Sequence, residues 1–264
     1  MIGRLRVVTS SSRMAVRRQF AAVPPWMWVV QIAIVNLFQM AFFVYVTTYA
    51  DNPDISVAYV ALGNAVQSIA MVTVYSVSNL PTTEKHTGTM TTLMSTPTRL
   101  SSVFFGMALF QIVAGVMSVS ISLIYASFLF GVDFSDVNML SMIVTIGLTS
   151  YSMFGLGFIL CSMGLYFRTS FVVAKLVMYV SMVLCGVNFP ISYLPEPLRY
   201  VSAVLPLTYG VEGVRQAAVG APLTSIGFEL GAMVILGTSL LAISLWMMAK
   251  FERMVLVKGR LDVF

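Results

Sequence analysis

The chain has 264 residues, of which 58% are hydrophobic and only 9% charged, against roughly a quarter charged in an ordinary soluble domain. That balance excludes a water-soluble domain with a polar surface, so the solvent for most of the chain is lipid. The net charge of +5 reads as topology and contact with anionic lipid, not as nucleic-acid binding.

Residues 1–25 are basic, with Leu5, Val8, Val16, Phe20 and Val23 forming an imperfect helical stripe interrupted by Ser10, Ser11 and Ser12. The pattern predicts an interfacial helix on the inner leaflet, with a disordered basic tail as the alternative. Pro24 and Pro25 break any helix, and Trp26 and Trp28 mark the interface where a first span begins. Thr48-Tyr49-Ala50 has the small-residue offsets of a signal cleavage site. The apolar run from Trp26 to Val46 exceeds the about 7 to 15 residues of a signal core, so a retained helix is expected.

A charge at mid-bilayer costs about 2.5 to 3.5 kcal/mol on insertion scales, so spans lie between charges. Six long charge-free intervals predict spans over 26–48, 58–80, 102–130, 139–167, 170–189 and 229–249. With the N-terminus inside, Arg4, Arg6, Arg13, Arg17, Arg18, Lys85, Arg99, Arg168, Lys175, Lys250, Arg253, Lys258 and Arg260 fall on the cytoplasmic side, leaving only Arg199 and Arg215 outside. The expected fold is therefore an all-α polytopic membrane protein in one transmembrane domain, 1–264, with six spans and both termini cytoplasmic.

Loops 49–57 and 131–138 are too short to fold alone, and the link at Arg168-Thr169-Ser170 is tighter still. Cytoplasmic loop 81–101 runs from Pro81 through Glu84, Lys85, His86 and Gly88 to Pro97 and Arg99. Between its prolines, Thr87 to Met94 is expected to form one short helix parallel to the membrane. Residues 190–228 are apolar yet external by topology, and Pro190, Pro195, Pro197, Pro206 and Pro222 punctuate them. Leu194, Leu198, Val201 and Leu205 recur at helical spacing with Glu196 and Arg199 on the polar side, and a second helix with Glu212 and Arg215 three apart follows Pro206. Non-spanning backbone enters a membrane only where protein or a cavity satisfies it, which predicts a pair of short re-entrant helices.

Chemistry is sparse. No phosphate-binding G-x-x-x-x-G-K-[ST] loop occurs, and His86 has no second ligand nearby, so no catalytic or metal site is expected. Cys161 and Cys185 lie in different spans at depths differing by about 13 Å, which excludes a bridge within one subunit. Paired central charges are missing, because Lys175 can snorkel and Glu229 sits at a span edge. Asn36, Gln39, Asn64, Gln67 and Asn188 need hydrogen-bond partners in lipid, either another helix or a substrate path. Phe42, Tyr45, Tyr75 and Tyr179 either line a greasy path or simply pack.

The run Glu84-Lys85-His86-Thr87-Gly88-Thr89, followed by Leu93-Met94-Ser95-Thr96-Pro97, resembles the E-x-x-x-G-T…L…[ST]-P segment of type-2 ABC exporter permeases. Asn188 to Pro195, then Leu205 to Gly210 and Arg215, is similar to that family's stretch between its fifth and sixth helices. The resemblance implies two six-helix permeases, identical or related, around a central path, each resting on a cytoplasmic ATP-binding subunit that supplies ATP and Mg chemistry. Glu84, Lys85, His86, Thr87, Gly88, Thr89, Met90 and Leu93 would form the coupling element, with Glu84 and Lys85 pairing with the partner and Gly88 allowing close approach. Pro190, Leu194, Pro206, Tyr209, Glu212 and Arg215 would belong to an external gate. The expected activity is export of a hydrophobic or amphiphilic drug, antibiotic or natural product across a bacterial inner membrane. A secondary transporter or channel without an ATPase is the alternative.

Overall fold

The computed structural model describes residues 2–50, 52–53, 55–96, 98–166 and 170–258. Asp51, Asp54, Pro97, Arg168, Thr169 and Arg260 lie outside the described residues. Among the described residues the chain is helical without strands: α1 (Ile2–Ala22), α2 (Pro25–Ala50), α3 (Val57–Ser78), α4 (Leu80–His86), α5 (Thr89–Ser95), α6 (Leu100–Phe128), α7 (Met139–Tyr166), α8 (Ser170–Leu184), a 3-10 turn (Ile191–Tyr193), α9 (Glu196–Val204), α10 (Pro206–Ala218) and α11 (Gly227–Lys258).

Five helices, α2, α3, α6, α7 and α11, are long and apolar enough to cross a membrane. The windows of α3 and α7 are 72% and 61% buried inside the protein, against 22% for both α2 and α11. α3 and α7 are therefore the interior pair, and α2 and α11 carry broad outward apolar faces. The expected fifth span, 170–189, stops at Leu184. Its 15 residues reach about 22 Å at 1.5 Å per residue, short of a hydrocarbon core of about 30 Å.

α1 is one continuous helix, so the serine triplet does not interrupt it. Ser11 is buried against α6. A Cβ on Gly106 would stand 2.5 Å from the Val8 carbonyl and 3.0 Å from Ser11 Cβ, so the small residues let the two helices touch. Phe20, Trp28 and Phe110 then pin α1, α2 and α6 together, with ring centroids 5.5 to 5.8 Å apart. α2 begins at Pro25, where the missing N–H costs nothing.

Candidate coupling and gate sites

The loop expected to hold a single helix over Thr87 to Met94 instead contains two, α4 and α5, broken at Gly88. Gly88 has φ 69° with nothing within 4 Å of a built Cβ. Within the chain its requirement is a left-handed turn. Glu84 is buried and pairs with Arg18 of α1, and the Thr89 hydroxyl donates to its other oxygen. Lys85 donates to the carbonyls of Gly164 and Leu165 at 2.8 and 3.2 Å, capping the last turn of α7. Burial lowers the Lys85 ammonium to about 8.

Both charges expected to meet a soluble partner are thus engaged within the chain. They lock the α4–α5 pair to α1 and to the end of α7. Met90 is buried beneath the pair and Leu93 packs with it against the core. The exposed residues of the pair are His86, Thr87, Gly88, Thr91, Thr92 and Ser95, a surface that sequence reasoning did not separate from its buried side. Sequence reasoning also missed Glu252, which accepts from Leu100 N at 3.2 Å and caps α6 from α11.

At the opposite end, the carbonyls left open where α8 stops are met by side chains from three other helices. Ser202 Oγ of α9 donates to Leu184 O at 2.8 Å. Arg215 Nη2 of α10 donates to Gly186 O at 2.8 Å, Val187 O at 3.0 Å and Tyr59 O at 3.0 Å. Tyr59 Oη of α3 donates to Gly186 O at 3.1 Å, and the Tyr59 ring lies 3.3 Å from the Arg215 guanidinium. The irregular backbone is tolerated because protein satisfies it.

Arg215 does not pair with Glu212 as their spacing suggested. Glu212 is exposed and accepts from Gln216 at 3.1 Å, because the open carbonyls of the α8 break draw the guanidinium inward. The anticipated apolar stripe of α9 is likewise not its buried face: Leu198 and Val201 are exposed and Ser202 points inward. Leu194 and Pro206 are buried, while Tyr209 donates to Ala203 O at 2.9 Å. Pro190 supplies the carbonyl that accepts from Tyr193 N at 3.1 Å.

The polar span residues divide similarly. Asn36 joins α2 to α6 through Ser118, at 3.1 Å to its carbonyl and 2.8 Å to its hydroxyl. Asn64 donates to Asn188 Oδ1 at 2.8 Å, and Gln67 donates to Met178 O at 3.5 Å. Asn64 Oδ1, Gln67 Oε1 and Gln39 Nε2 are buried without partners. Tyr75 packs on Phe171 at 5.0 Å. Phe42, Tyr45 and Tyr179 are 62%, 68% and 59% exposed, so none lines an interior path within one copy. Both cysteines are free and buried.

A helical bundle built on two interior spans, with capped short helices at both ends, defines a multi-pass membrane protein. The sequence profile of the family described as ABC-2 type transporter matches residues 5–219, and the chain belongs to that family. Members of this family are membrane permeases that normally work with a separate ATP-binding subunit. The chain is also 27% identical over 97 residues to "Nodulation protein J" of Rhizobium meliloti (strain 1021), a match covering 37% of this chain and 37% of that protein.

Proposed function

We propose that this chain is the membrane half of an ATP-driven exporter in a bacterial inner membrane, working as a homodimer or related heterodimer on two ATP-binding subunits. The observation that carries the reading is the locked α4–α5 pair. Its exposed rim presents hydroxyls and His86, while Glu84 and Lys85 tie its other side to α1 and α7. Movement imposed on the rim would reach the interior spans through those ties, and ATP in the partner would shift the balance between inward-open and outward-open states.

The outward exposure of Phe42, Tyr45 and Tyr179 favours a path closed by a second permease. The unpartnered amide oxygens of Asn64 and Gln67 give the α3–α8 seam two polar acceptors in an otherwise apolar wall. A hydrophobic or amphiphilic drug, antibiotic, natural product or lipid-linked compound suits such a wall. The test is co-purification of tagged permease with its ATP-binding subunit, comparing wild type with Thr92→Trp on the exposed rim. Loss of the subunit, or of its permease-stimulated ATPase activity, at normal membrane levels supports the reading. Solute movement by wild type that binds no ATPase overturns it in favour of a secondary transporter or channel.

A further inference from the structure

A second feature lies outside the coupling element. A cavity of about 640 Å³ opens between α1, the start of α6 and the last turns of α11, lined by Val8, Arg99, Ser101, Ser102, Phe105, Leu245, Ala249, Glu252 and Arg253. Its charges are unbalanced. Glu252 supplies one negative charge, with one oxygen accepting from Leu100 N, against two arginines, and among the described residues neither Arg99 nor Arg253 has an ion-pair or side-chain hydrogen-bond partner. Two arginines from segments far apart in sequence therefore line one cavity, with Ser101 and Ser102 also in its wall.

The rest of the wall is apolar, formed by Val8, Phe105, Leu245 and Ala249. Along α11, Leu245 to Arg253 covers about 12 Å at 1.5 Å per residue, the depth of a headgroup and the first carbons of a chain. Beside it, Lys250 Nζ sits 5.2 Å from the centre of the Trp246 ring, a pairing suited to the membrane–water boundary.

We propose that this cavity binds the phosphate of an anionic phospholipid, with Arg99 and Arg253 gripping the diester and one acyl chain lying along Phe105 and Leu245. Arginine forks match phosphate oxygens in pairs, and the apolar wall selects a lipid over free phosphate. The lipid would bridge α6 and α11 beneath α1, tying the permease's stability to leaflet charge.

The test uses the purified full chain in neutral detergent, titrated separately with dioleoylphosphatidylglycerol, dioleoylphosphatidylcholine and inorganic phosphate. Thermal midpoint and lipid retained in native mass spectrometry are the readouts. Phosphatidylglycerol should bind at least tenfold more tightly than phosphatidylcholine, with no response to millimolar phosphate. Arg99→Gln/Arg253→Gln should erase that preference, and so should Ser102→Glu, which leaves both arginines in place. Equal binding of the two lipids, or a preference unchanged in both variants, overturns the site. A phosphate response matching that of phosphatidylglycerol overturns the lipid assignment in favour of a free anion.

Discussion

Glu84 and Lys85 are adjacent charges in a cytoplasmic-type loop, a pattern that ordinarily reads as a solvated contact surface. Sequence assigned them to a charged loop segment but could not show which way they face, because the answer depends on Arg18, 66 residues away, and on where α7 ends. Each therefore yields a distinct expectation. Glu84→Gln keeps shape while removing the charge that holds Arg18. Because Arg18 is partly exposed and can be resolvated, the loss of stability should be about 1 to 2 kcal/mol. Binding of the ATP-binding subunit should survive while substrate-stimulated ATPase activity falls; equal loss of both would show that Glu84 acts at the contact surface instead. Lys85 carries a pH dependence. Its ammonium is lowered from 10.5 to about 8 by burial, so between those values the unfolded chain binds more protons than the folded one. Its contribution to stability must then rise with pH across that window and be least below about 8. The thermal midpoint of wild type minus that of Lys85→Met should increase from pH 7.5 to pH 10, and a flat difference would remove the buried-ammonium explanation.

At the scale of elements, the long helices were legible because lipid imposes length and excludes charge. The starts of α2, α9 and α10 were legible because Pro25, Pro197 and Pro206 punctuate them. The end of α8 was not, since Val183, Leu184, Cys185 and Val187 continue the apolar run, although Gly186, at φ 69°, turns the chain just beyond it. Nor was the docking of α10, whose Gly210 and Gly213 would place a Cβ within 2.5 and 2.8 Å of Thr149 and Thr145 on α7. Small residues there let α10 enter the bundle and present Arg215 to the break. Arg215→Met should strand the Val187 carbonyl and leave Gly186 O with the Tyr59 hydroxyl alone, for a loss of about 1 to 3 kcal/mol. Arg215→Lys should recover only part, because an ammonium cannot fork across the carbonyls. Cys185, buried beside the break, provides the local readout. Its maleimide reaction should accelerate in Arg215→Met while buried Cys161 stays unreactive; acceleration at both would indicate general unfolding.

For the whole molecule, the distribution of cations gives the two ends opposite characters. Arg18, Lys85, Arg99, Lys250 and Arg253 gather where α1, α4, α5 and the ends of α6, α7 and α11 meet. The other end holds Arg199 and Arg215, and both are consumed by backbone: Arg199 donates to Leu194 O and Ser192 O, and Arg215 to the α8 break. The two exceptions to the charge bias are therefore capping groups, and the bias itself rests on the cations gathered at the other end. It follows that the α4–α5 end should face the cytoplasm and the α9–α10 end the exterior. Thr92 and Tyr200 test this directly, since both are exposed and lie on opposite ends. Single Thr92→Cys and Tyr200→Cys variants in intact cells, treated with a membrane-impermeant maleimide, should label only at position 200, with position 92 reacting after permeabilisation. The buried native cysteines leave the background low. Labelling of position 92 in sealed cells would invert the topology and overturn the proposed docking of an ATP-binding subunit on the α4–α5 rim.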